Sequence, residues 1–573
     1  AAAILSQALW PQRLSQHRDQ TDPSSMTGTD RSRSPRGRQS GNKVSTPEQQ
    51  QKDRILVVDF GSQVSHLICR RVREANVYCE LRSCLVKAEE VVEFKPTGII
   101  LSGGPHSVYD ADGPHLKEEV WKLIQDRQLP VLGICYGLQE MCFHLGGAVE
   151  PGKKREFGHA EVQVSNSELF KNIQLSANGL VKVWMSHGDK VTKLPAGFQR
   201  VAHTPSCEFA AVENVESKMW GVQFHPEVTH TPCGGQLIKN FVQNICGCKG
   251  EWTMQDFARS QADTIVARLG DRYCIGAVSG GVDSSVAAAL LHRAVGTRFR
   301  PFLVDTGLLR KDEAKEVKER LEKHIEGLQL KVIDAREKFY TELAGVTEPE
   351  QKRKIIGRLF IDCFEQAVRE MGLPSEKCML LQGTLYPDVI ESTSFKGPST
   401  VIKSHHNVGG LPARMKMELL EPLRLLFKDE VRALGRELGL AEESVMRHPF
   451  PGPGLGIRII GEVNQTNADT LREADAIYIE ELRRTGHYDK IGQAFIVLLP
   501  TVKSVGVMGD HRTYENVCVL RAVTTTDFMT ADWYDMPKEV LSTISGRIIN
   551  EVRGINRVCY DVSSKPPATI EWE

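Results

Sequence analysis

Residues 130–144 read Pro-Val-Leu-Gly-Ile-Cys-Tyr-Gly-Leu-Gln-Glu-Met-Cys-Phe-His. This short apolar run ends in a Gly-x-Cys-x-Gly turn, and a stretch compatible with a helix follows it. Glycines on both sides of Cys135 let a strand and a helix approach closely, while the central residue sits in a strained turn. The pattern predicts a strand, a sharp turn that presents the Cys135 thiol at a helix N-terminus, and a helix. Taken alone, it also fits a buried structural cysteine.

Two stretches upstream have the same character of a buried strand that stops at glycine. One is Arg54-Ile-Leu-Val-Val-Asp-Phe-Gly-Ser-Gln63, which continues into a helical stretch as far as Glu74. The other is Gly98-Ile-Ile-Leu-Ser-Gly-Gly-Pro105. Apolar strands that alternate with helices are typical of a doubly wound parallel sheet.

A histidine and a carboxylate stand further along, in Gly221-Val-Gln-Phe-His-Pro-Glu-Val228. A thiolate nucleophile needs a base, and the base needs a group that orients it. A lone histidine after a strand is more often structural. Cys135, His225 and Glu227 together form a candidate Cys–His–carboxylate set for nucleophilic catalysis.

A second glycine-rich turn follows the strand that the sequence predicts over Arg272–Val278. It reads Ser279-Gly-Gly-Val-Asp-Ser-Ser285 and leads into an amphipathic helical stretch. Such a turn at a helix N-terminus binds anions, because free backbone N–H groups and the helix dipole face the ligand. It is not a Walker A loop, since it has no lysine at the required place. The stretch predicts a phosphate site, although a Gly-Gly turn before a helix can be only a turn.

The last part of the chain begins with His448-Pro-Phe-Pro-Gly-Pro-Gly-Leu-Gly456, which cannot be a helix interior or a central strand. We predict a rigid linking segment there. Apolar runs over 493–500, 517–523 and 557–562 predict strands, and residues 537–550 predict a helix between them.

The chain has 573 residues, which is too many for one hydrophobic core. We predict a disordered or targeting tail over residues 1–53, an α/β domain over 54–249, a second over 250–447 and a C-terminal domain over 448–573. The predicted fold class is α/β, with two doubly wound parallel-sheet domains followed by a smaller α+β domain for dimerisation.

The motifs of the first domain resemble the class I glutamine amidotransferase family. They are Ser102-Gly-Gly-Pro105, Gly133-Ile-Cys-Tyr-Gly-Leu-Gln139 and Phe224-His-Pro-Glu227. The resemblance implies that Cys135 attacks the glutamine amide, that His225 carries the proton and that Glu227 orients His225. It further implies an oxyanion hole near Gly104 and Tyr136, and Gln139 in the glutamine pocket.

The glycine-rich turn of the second domain resembles the PP-loop of the ATP pyrophosphatase family. The resemblance implies ATP cleavage between the α and β phosphates with Mg²⁺ as cofactor, and Asp283 as a possible magnesium ligand. It assigns ATP binding to the whole loop: Ser279, Gly280, Gly281, Val282, Asp283, Ser284 and Ser285. The later stretches Gln382–Glu391 and Lys403–Gly410 are similar to the family's second signature and its lid. The pair His405-His406 could suggest a metal, but neighbouring histidines seldom chelate one ion well.

The order of these motifs, with the segment at 448–456 and the terminal Lys565-Pro-Pro-Ala-Thr-Ile-Glu-Trp-Glu573, resembles the GMP synthase family. The likeness runs from about Arg54 to the last residue, and the third domain has the bacterial-type length. It implies the substrates XMP, ATP and glutamine, a carbon–nitrogen ligase activity and a homodimer. The XMP-binding residues that it implies are Arg353, Gln493, Arg557, Lys565, Ile570 and Glu571.

Composition excludes few classes but agrees with a soluble globular protein. Apolar residues make up 41% of the chain, charged residues 25%, and the formal net charge is −1. Nothing here indicates a nucleic-acid or membrane partner. The 14 cysteines have no disulfide or zinc spacing, which favours free thiols in the cytoplasm. The Arg- and Ser-rich tail leaves organelle targeting open, although its aspartates speak against it.

Two other functions are compatible with these motifs. One is a different PP-loop ligase or a tRNA-thiolating enzyme, which would need a basic binding face or relay cysteines. The other is a non-catalytic regulatory protein on the same scaffold. The near-neutral charge disfavours the first, and the intact Cys–His–Glu set disfavours the second.

Overall fold

The computed structural model describes residues 53–392, 417–508, 511–525, 528 and 530–573. Its strands form three sheets of nine, five and four strands, which follow one another along the chain. The predicted tail over 1–53, the lid stretch at 403–410 and the pair His405-His406 lie outside the described ranges, apart from Asp53. Among the helices in these ranges, none is both long and apolar enough to cross a membrane.

The first sheet has the strand order β2-β1-β3-β4-β9-β8-β7-β5-β6. Its strands are β1 (Arg54–Asp59), β2 (Tyr78–Ser83), β3 (Gly98–Leu101), β4 (Val131–Ile134), β5 (Ala148–Val164), β6 (Val181–Lys193), β7 (Gln199–His203), β8 (Ala211–Asn214) and β9 (Met219–Val222). The α-helices beside it are Ser65–Glu74, Ala88–Phe94, Glu118–Asp126, Tyr136–His144 and Gly234–Lys239, with a 3₁₀ turn at Glu168–Phe170 and a π-helical turn at Asn240–Ile245.

Half of this sheet confirms the prediction of a parallel α/β sheet, and half was not predicted. Strands β1 to β4 and β9 pair in parallel. Strands β5 to β8 are joined by antiparallel pairs, and β8 pairs antiparallel with β9. The reason lies in burial: β1 and β3 are apolar and covered on both faces, whereas β6 alternates buried and exposed residues at its start.

The second sheet is parallel throughout and has the order β12-β11-β10-β13-β14. Its strands are β10 (Tyr273–Ala277), β11 (Phe299–Asp305), β12 (Lys331–Asp334), β13 (Cys378–Leu381) and β14 (Glu418–Leu420). Its α-helices are Met254–Leu269, Val282–Val295, Glu313–His324, Arg336–Leu343, Pro349–Glu370, Tyr386–Ser392, Lys428–Glu437 and Glu442–Val445, with 3₁₀ turns at Gly296–Arg298 and Ser375–Lys377. This parallel α/β architecture agrees with the predicted fold class.

The third sheet is built on a long hairpin of β15 (Gln493–Met508) and β16 (His511–Thr524). The short β17 (Asp532–Trp533) pairs antiparallel with β16, and β18 (Ile555–Tyr560) pairs with β16 in parallel. Its α-helices are Gln465–Arg484 and Lys538–Glu551, with 3₁₀ turns at Gly454–Ile457 and Tyr488–Lys490. Strands and helices therefore mix here, as the predicted α+β domain requires.

The first two sheets meet around the buried guanidinium of Arg73. It lies over the rings of Tyr78 and Trp252, 4.5 and 4.7 Å from their centroids. Its Nη1 is 3.2 Å from Oε1 of Glu430, at the start of the helix Lys428–Glu437. Trp252 donates its indole N–H to the same carboxylate at 2.6 Å. A second link joins the main chain of Leu81, on β2, to the hydroxyl of Tyr386 at 2.7 Å.

Candidate active sites

The turn after β4 has the strained geometry that its sequence predicts. Cys135 has φ 52° and ψ −103°, and the helix Tyr136–His144 starts at the next residue. A Cβ on Gly133 would lie 2.6 Å from the carbonyl oxygen of Gly137, and a Cβ on Gly137 would lie 2.3 Å from that of Leu101. The two glycines are therefore needed for strand and helix to approach this closely.

The turn brings Cys135, His225 and Glu227 together across two strands of the sheet. His225 hydrogen-bonds the Cys135 side chain, and its Nδ1 lies 2.8 Å from Oε1 of Glu227. The Glu227 side chain is fully buried, and its Oε2 has no hydrogen-bond partner among the described residues. The carboxylate is therefore directed at the imidazole, which is the arrangement of a nucleophile, a base and an orienting group.

The electrostatics of the trio favour a charged imidazole. Burial alone would lower the pKa of His225, but its hydrogen bonds to Cys135 and Glu227 raise that pKa to about 11. A protonated His225 can stabilise negative charge on sulfur and later deliver a proton to a leaving amine.

Gly104 lies against the ring of Tyr136, the residue that follows Cys135. A Cβ on Gly104 would lie 2.9 Å from the carbonyl oxygen of Phe60 and 3.2 Å from the Tyr136 ring, so the loop can pass here only as glycine. The Tyr136 hydroxyl donates to the carbonyl oxygen of Pro114 at 2.7 Å. With its side chain committed there, Tyr136 can serve the thiol only through its main-chain N–H.

Gln139 lies one helical turn beyond Cys135, where the sequence places it in the glutamine pocket. Its Nε2 donates to the carbonyl oxygen of Asp189 at 3.0 Å and to Oε1 of Gln223 at 3.3 Å. Gln223 in turn points its Nε2 at the Cys135 sulfur, 3.6 Å away. Sequence reasoning missed Gln223, although it stands within the stretch that carries His225.

A buried polar cluster supports this pocket from behind, and sequence reasoning missed it. Glu156, His187 and Cys207 bring one possible ligand atom each within 4.8 Å of one another. The carboxylate of Glu156 is already bonded to His187 at 3.0 Å and to the Thr204 hydroxyl at 3.1 Å. The His187 Nδ1 lies 2.9 Å from the carbonyl oxygen of Asp189. These bonds make the group a hydrogen-bonded support for Asp189 on β6, whose carbonyl oxygen Gln139 contacts.

The second site is the loop from Ser279 to Ser285, which folds into a turn closed by its own hydroxyls. Ser284 Oγ donates to the carbonyl oxygen of Gly281 at 3.0 Å and accepts from the main chain of Ser279 at 3.2 Å. Gly280 has φ 74°, and a Cβ there would lie 2.4 Å from Val317. Because the helix Val282–Val295 starts inside the loop, the free N–H groups of its first turn point outward.

The loop opens into a cleft of about 420 Å³, referred to below as the loop cleft. Its walls include Val278, Val304, Phe360 and Gln382. Lys428 reaches across to Asp283, with Nζ 2.7 and 2.6 Å from the two carboxylate oxygens. Ser279, Gly281, Val282, Asp283 and Ser284 all line the loop cleft, as expected of a phosphate-binding loop. Gly280 and Ser285 are buried within the turn.

The six residues predicted for XMP are only partly together. Gln493 Nε2 donates to Oε1 of Glu571 at 2.7 Å, and Ile570 is buried next to them. Arg458, which the sequence did not single out, holds the same carboxylate with Nη2 at 2.9 Å. Arg353 donates to the main-chain oxygen of the terminal residue.

Lys565 and Arg557 have other hydrogen-bond partners. Lys565 donates to the carbonyl oxygen of Phe528 at 2.7 Å. On the sheet, Arg557 lies opposite Val517, and Val517 lies opposite Leu499. Leu499 is six residues further along β15 than Gln493. Six strand residues span about 20 Å. Arg557 instead donates to the Ser504 hydroxyl at 2.6 Å.

The segment 448–456 connects the second and third sheets and passes close to the second. Gly454 has φ 63°, and a Cβ there would lie 2.2 Å from the carbonyl oxygen of Leu308. His448 stacks on Tyr488 with centroids 3.8 Å apart, and burial lowers its pKa to about 4. The structure thus confirms an irregular segment that is packed tightly.

Comparison with known proteins agrees with this geometry at both ends of the chain. Residues 56–245 match the family model described as glutamine amidotransferase class-I. Residues 480–572 match the model described as GMP synthase C terminal domain. The first match contains the whole Cys–His–Glu trio, and the second contains five of the six residues predicted for XMP.

Close relatives cover nearly the whole chain. A protein of Schizosaccharomyces pombe named GMP synthase [glutamine-hydrolyzing] is 55% identical over 92% of this chain and 98% of its own length. Proteins of the same name in Neisseria meningitidis and Azoarcus are 55% and 56% identical, each over 91% of this chain. The fold and the Cys–His–Glu site define a class I glutamine amidotransferase joined to further domains. The chain belongs to the family of glutamine-hydrolysing GMP synthases.

Proposed function

We propose that this chain makes GMP from XMP, with ATP as the energy source and the amide nitrogen of glutamine as the donor. The observation that carries the proposal is one polypeptide with both a buried Cys–His–Glu trio and a glycine-rich loop that opens into a cleft, in a family whose members are named for this activity. The products are GMP, AMP, pyrophosphate and glutamate. The activity makes the chain a carbon–nitrogen ligase.

The first half-reaction releases ammonia at Cys135. Its sulfur bonds to the carboxamide carbon of glutamine, and the carbon–nitrogen bond breaks as His225 delivers a proton to the leaving nitrogen. Water then cleaves the thioester and frees glutamate. Glu227 keeps His225 oriented throughout, and the main-chain N–H groups near Gly104 and Tyr136 stabilise the oxyanion.

The second half-reaction activates XMP at the loop cleft. The O2 atom of the base bonds to the α-phosphorus of ATP while the bond from that phosphorus to its β-bridging oxygen breaks. Pyrophosphate departs with the electron pair, and the N–H proton of the base is released to solvent. Ammonia then adds at C2, the bond from C2 to O2 breaks as AMP leaves with the electron pair, and loss of one proton from the added nitrogen gives GMP. Loop N–H groups hold the β and γ phosphates, whose charge pyrophosphate carries away.

Mg²⁺ is the cofactor that we propose for this second half-reaction. Asp283 and Asp388 both line the loop cleft, and one or two carboxylates plus substrate phosphates are the usual ligand set of this ion. Lys428 Nζ already contacts both oxygens of Asp283, and Asp388 accepts from the main chain of Leu385, but each carboxylate retains further lone pairs. The ion would offset phosphate charge.

We also propose that the chain forms a homodimer through the tip of its third sheet. Val505, Val507 and Tyr514 lie on one face of the hairpin and form an exposed hairpin patch, with Val507 75% and Tyr514 62% exposed. A second copy would cover that face. A homodimer would also explain why Arg557 lies about 20 Å along the sheet from Gln493. In a dimer, Arg557 of one copy can complete the XMP site of the other copy.

The cytoplasm remains the compartment we propose. All the cysteines are unpaired, and most of them are buried. Free thiols persist in a reducing compartment. XMP, ATP and glutamine are the ligands of this proposal, which needs neither nucleic acid nor membrane.

GMP formation from XMP, ATP and Mg²⁺, with glutamine and separately with an ammonium salt, tests the proposal. We expect GMP with both donors, together with equal amounts of AMP and pyrophosphate. Activity with ammonium but not with glutamine would show that the half-reaction at Cys135 is defective. A folded sample that makes no GMP with either donor would refute the proposed function.

A further inference from the structure

The helix Lys428–Glu437 carries two cationic side chains, Lys428 and Arg432, that line the loop cleft. Arg432 follows Lys428 by four residues, so both side chains lie on the same face of the helix. Lys428 forms an ion pair with Asp283 of the loop. Arg432 lies one turn further along, away from the loop.

Arg432 lies where two clefts meet. One is the loop cleft. The other has a volume of about 650 Å³ and is lined by residues next to the third sheet, among them Lys490, Gly492, Thr524 and Asp532. Gly492 precedes Gln493, so this second cleft adjoins the residues assigned to XMP. Arg432, Arg447, His448 and Phe528 line both clefts.

Of these four side chains, only Arg432 is charged and forms no hydrogen bond or ion pair with another described residue. Arg447 is paired with Glu313 and donates to the carbonyl oxygen of Gly280 at 3.2 Å. His448 is uncharged near neutral pH, because burial lowers its pKa to about 4. The buried Nε of Arg432 has no hydrogen-bond partner among the residues that the structure describes. A buried donor without a partner is costly unless a ligand satisfies it.

We propose that Arg432 is a catalytic residue that binds the α-phosphate of ATP while XMP attacks it, which rests on the function proposed above. The β and γ phosphates belong at the loop and XMP in the second cleft, so the reacting α-phosphorus must lie where the clefts join. In-line displacement spreads negative charge over the oxygens of that phosphorus, and a guanidinium fork stabilises it. Arg432 presents such a fork there.

The test replaces Arg432 with Met, which keeps its length and removes its charge, and compares Arg436→Met as the matched control. Arg436 lies one turn further on the same helix, half exposed and paired with Glu442 at 2.7 Å. Three assays are run: GMP formation with saturating ammonium, XMP-dependent exchange of labelled pyrophosphate into ATP, and glutamine hydrolysis. The exchange reports adenylylation alone, before ammonia acts.

For Arg432→Met we expect kcat with ammonium and the exchange rate to fall by about 100-fold or more, as on removal of one donor to a transition-state oxyanion. Glutamine hydrolysis and the directly measured Kd for XMP should stay within about threefold by the same reasoning, since the contact acts in the transition state. Arg432→Lys should recover part of the loss, and Arg436→Met should match the parent.

An unchanged kcat and exchange rate in Arg432→Met would overturn the proposal, and so would a loss confined to the XMP KM. If that variant does not fold, Arg432→Gln is judged by the same criteria. A parent enzyme that makes no GMP would instead refute the proposed function. The two failures are therefore distinct.

Discussion

Cys135 is held at a positive φ that an L residue rarely adopts, and that strain fixes where its sulfur points. Replacing it with Ala removes the sulfur and leaves the turn, since Ala and Cys have similar backbone demands. We expect Cys135→Ala to lose glutamine-dependent GMP formation by more than about 10⁴-fold, because covalent catalysis needs the nucleophile. Ammonium-dependent formation should stay near the parent value. Loss of both activities in a folded variant would contradict the two-site scheme.

The buried side chain of His448 leads to a second prediction, which concerns how the free energy of unfolding depends on pH. Its folded pKa of about 4 lies below the unfolded value of about 6.5, because burial disfavours the charged ring. Between these values the unfolded chain binds more protons, so stability falls as pH falls from 6.5 to 4. The difference corresponds to about 3 kcal/mol of unfolding free energy.

The measurement compares thermal unfolding midpoints at pH 7 and pH 4.5 for the parent, His448→Asn and His324→Asn. His324 is exposed and serves as the control. We expect the midpoint of His448→Asn to drop less between the two pH values than that of the parent, while His324→Asn follows the parent. Equal drops in all three proteins would show that His448 does not titrate with unfolding.

The sequence predicted the residues to which we assign the chemistry and missed residues that contact them. Cys135 and His225 stand in glycine- and proline-marked turns, whose backbone demands can be read locally. Gln223 and His187 are ordinary polar residues on or beside strands, and only the fold shows that one faces sulfur and the other a carboxylate. Arg458 was missed for a similar reason: its partner Glu571 lies 113 residues away.

At the scale of elements, the helix Ser65–Glu74 is joined to the helix Lys428–Glu437 by the buried pair of Arg73 and Glu430. The same second helix carries Lys428, which contacts the phosphate loop. Removing one partner of a buried pair leaves an uncompensated charge and costs about 3–5 kcal/mol. We therefore expect Arg73→Met to loosen the contact between the first two domains.

Limited proteolysis and thermal unfolding measure this loosening. Arg70→Met is the matched control, because Arg70 lies on the same helix but its side chain is 38% exposed, with its Nε 3.8 Å from Asp429. An exposed pair contributes at most about 1 kcal/mol. Arg73→Met should be cleaved faster between the domains, and its ratio of glutamine-dependent to ammonium-dependent GMP formation should fall severalfold. Identical behaviour of both variants would show that burial of the pair is unimportant.

Elements were predictable where one local signal dominates. The apolar runs at β1, β3 and β4, with glycine at their ends, lie where the sequence predicts strands. The antiparallel half of the first sheet was missed, since the alternating and partly charged β5 and β6 are stabilised by cross-strand pairing rather than by their own apolar content.

At the scale of the whole molecule, length and motif order predicted three folded parts, and three sheets follow one another along the chain. The domain bounds at 249 and 447 stay predictions. What local pattern could not predict is how the parts meet, because Arg73 and Glu430 are 357 residues apart and neither belongs to a motif. The terminal residues show the same dependence: Glu573 pairs with the buried Lys352 at 2.6 Å, which ties the end of the chain to the second domain.

The hairpin patch gives the prediction that concerns assembly. Changing Val507 and Tyr514 together to Lys puts two charges on a face that a second copy must cover, and burying unpaired charges is unfavourable. We expect the double variant to sediment as a monomer at concentrations where the parent is a dimer, and to lose ammonium-dependent GMP formation because Arg557 no longer reaches a neighbouring XMP site. Phe157→Lys is the control, since Phe157 is 67% exposed on the first sheet. A double variant that stays dimeric would show that the interface lies elsewhere. A fully active monomer would show that each copy binds XMP without Arg557 of another copy.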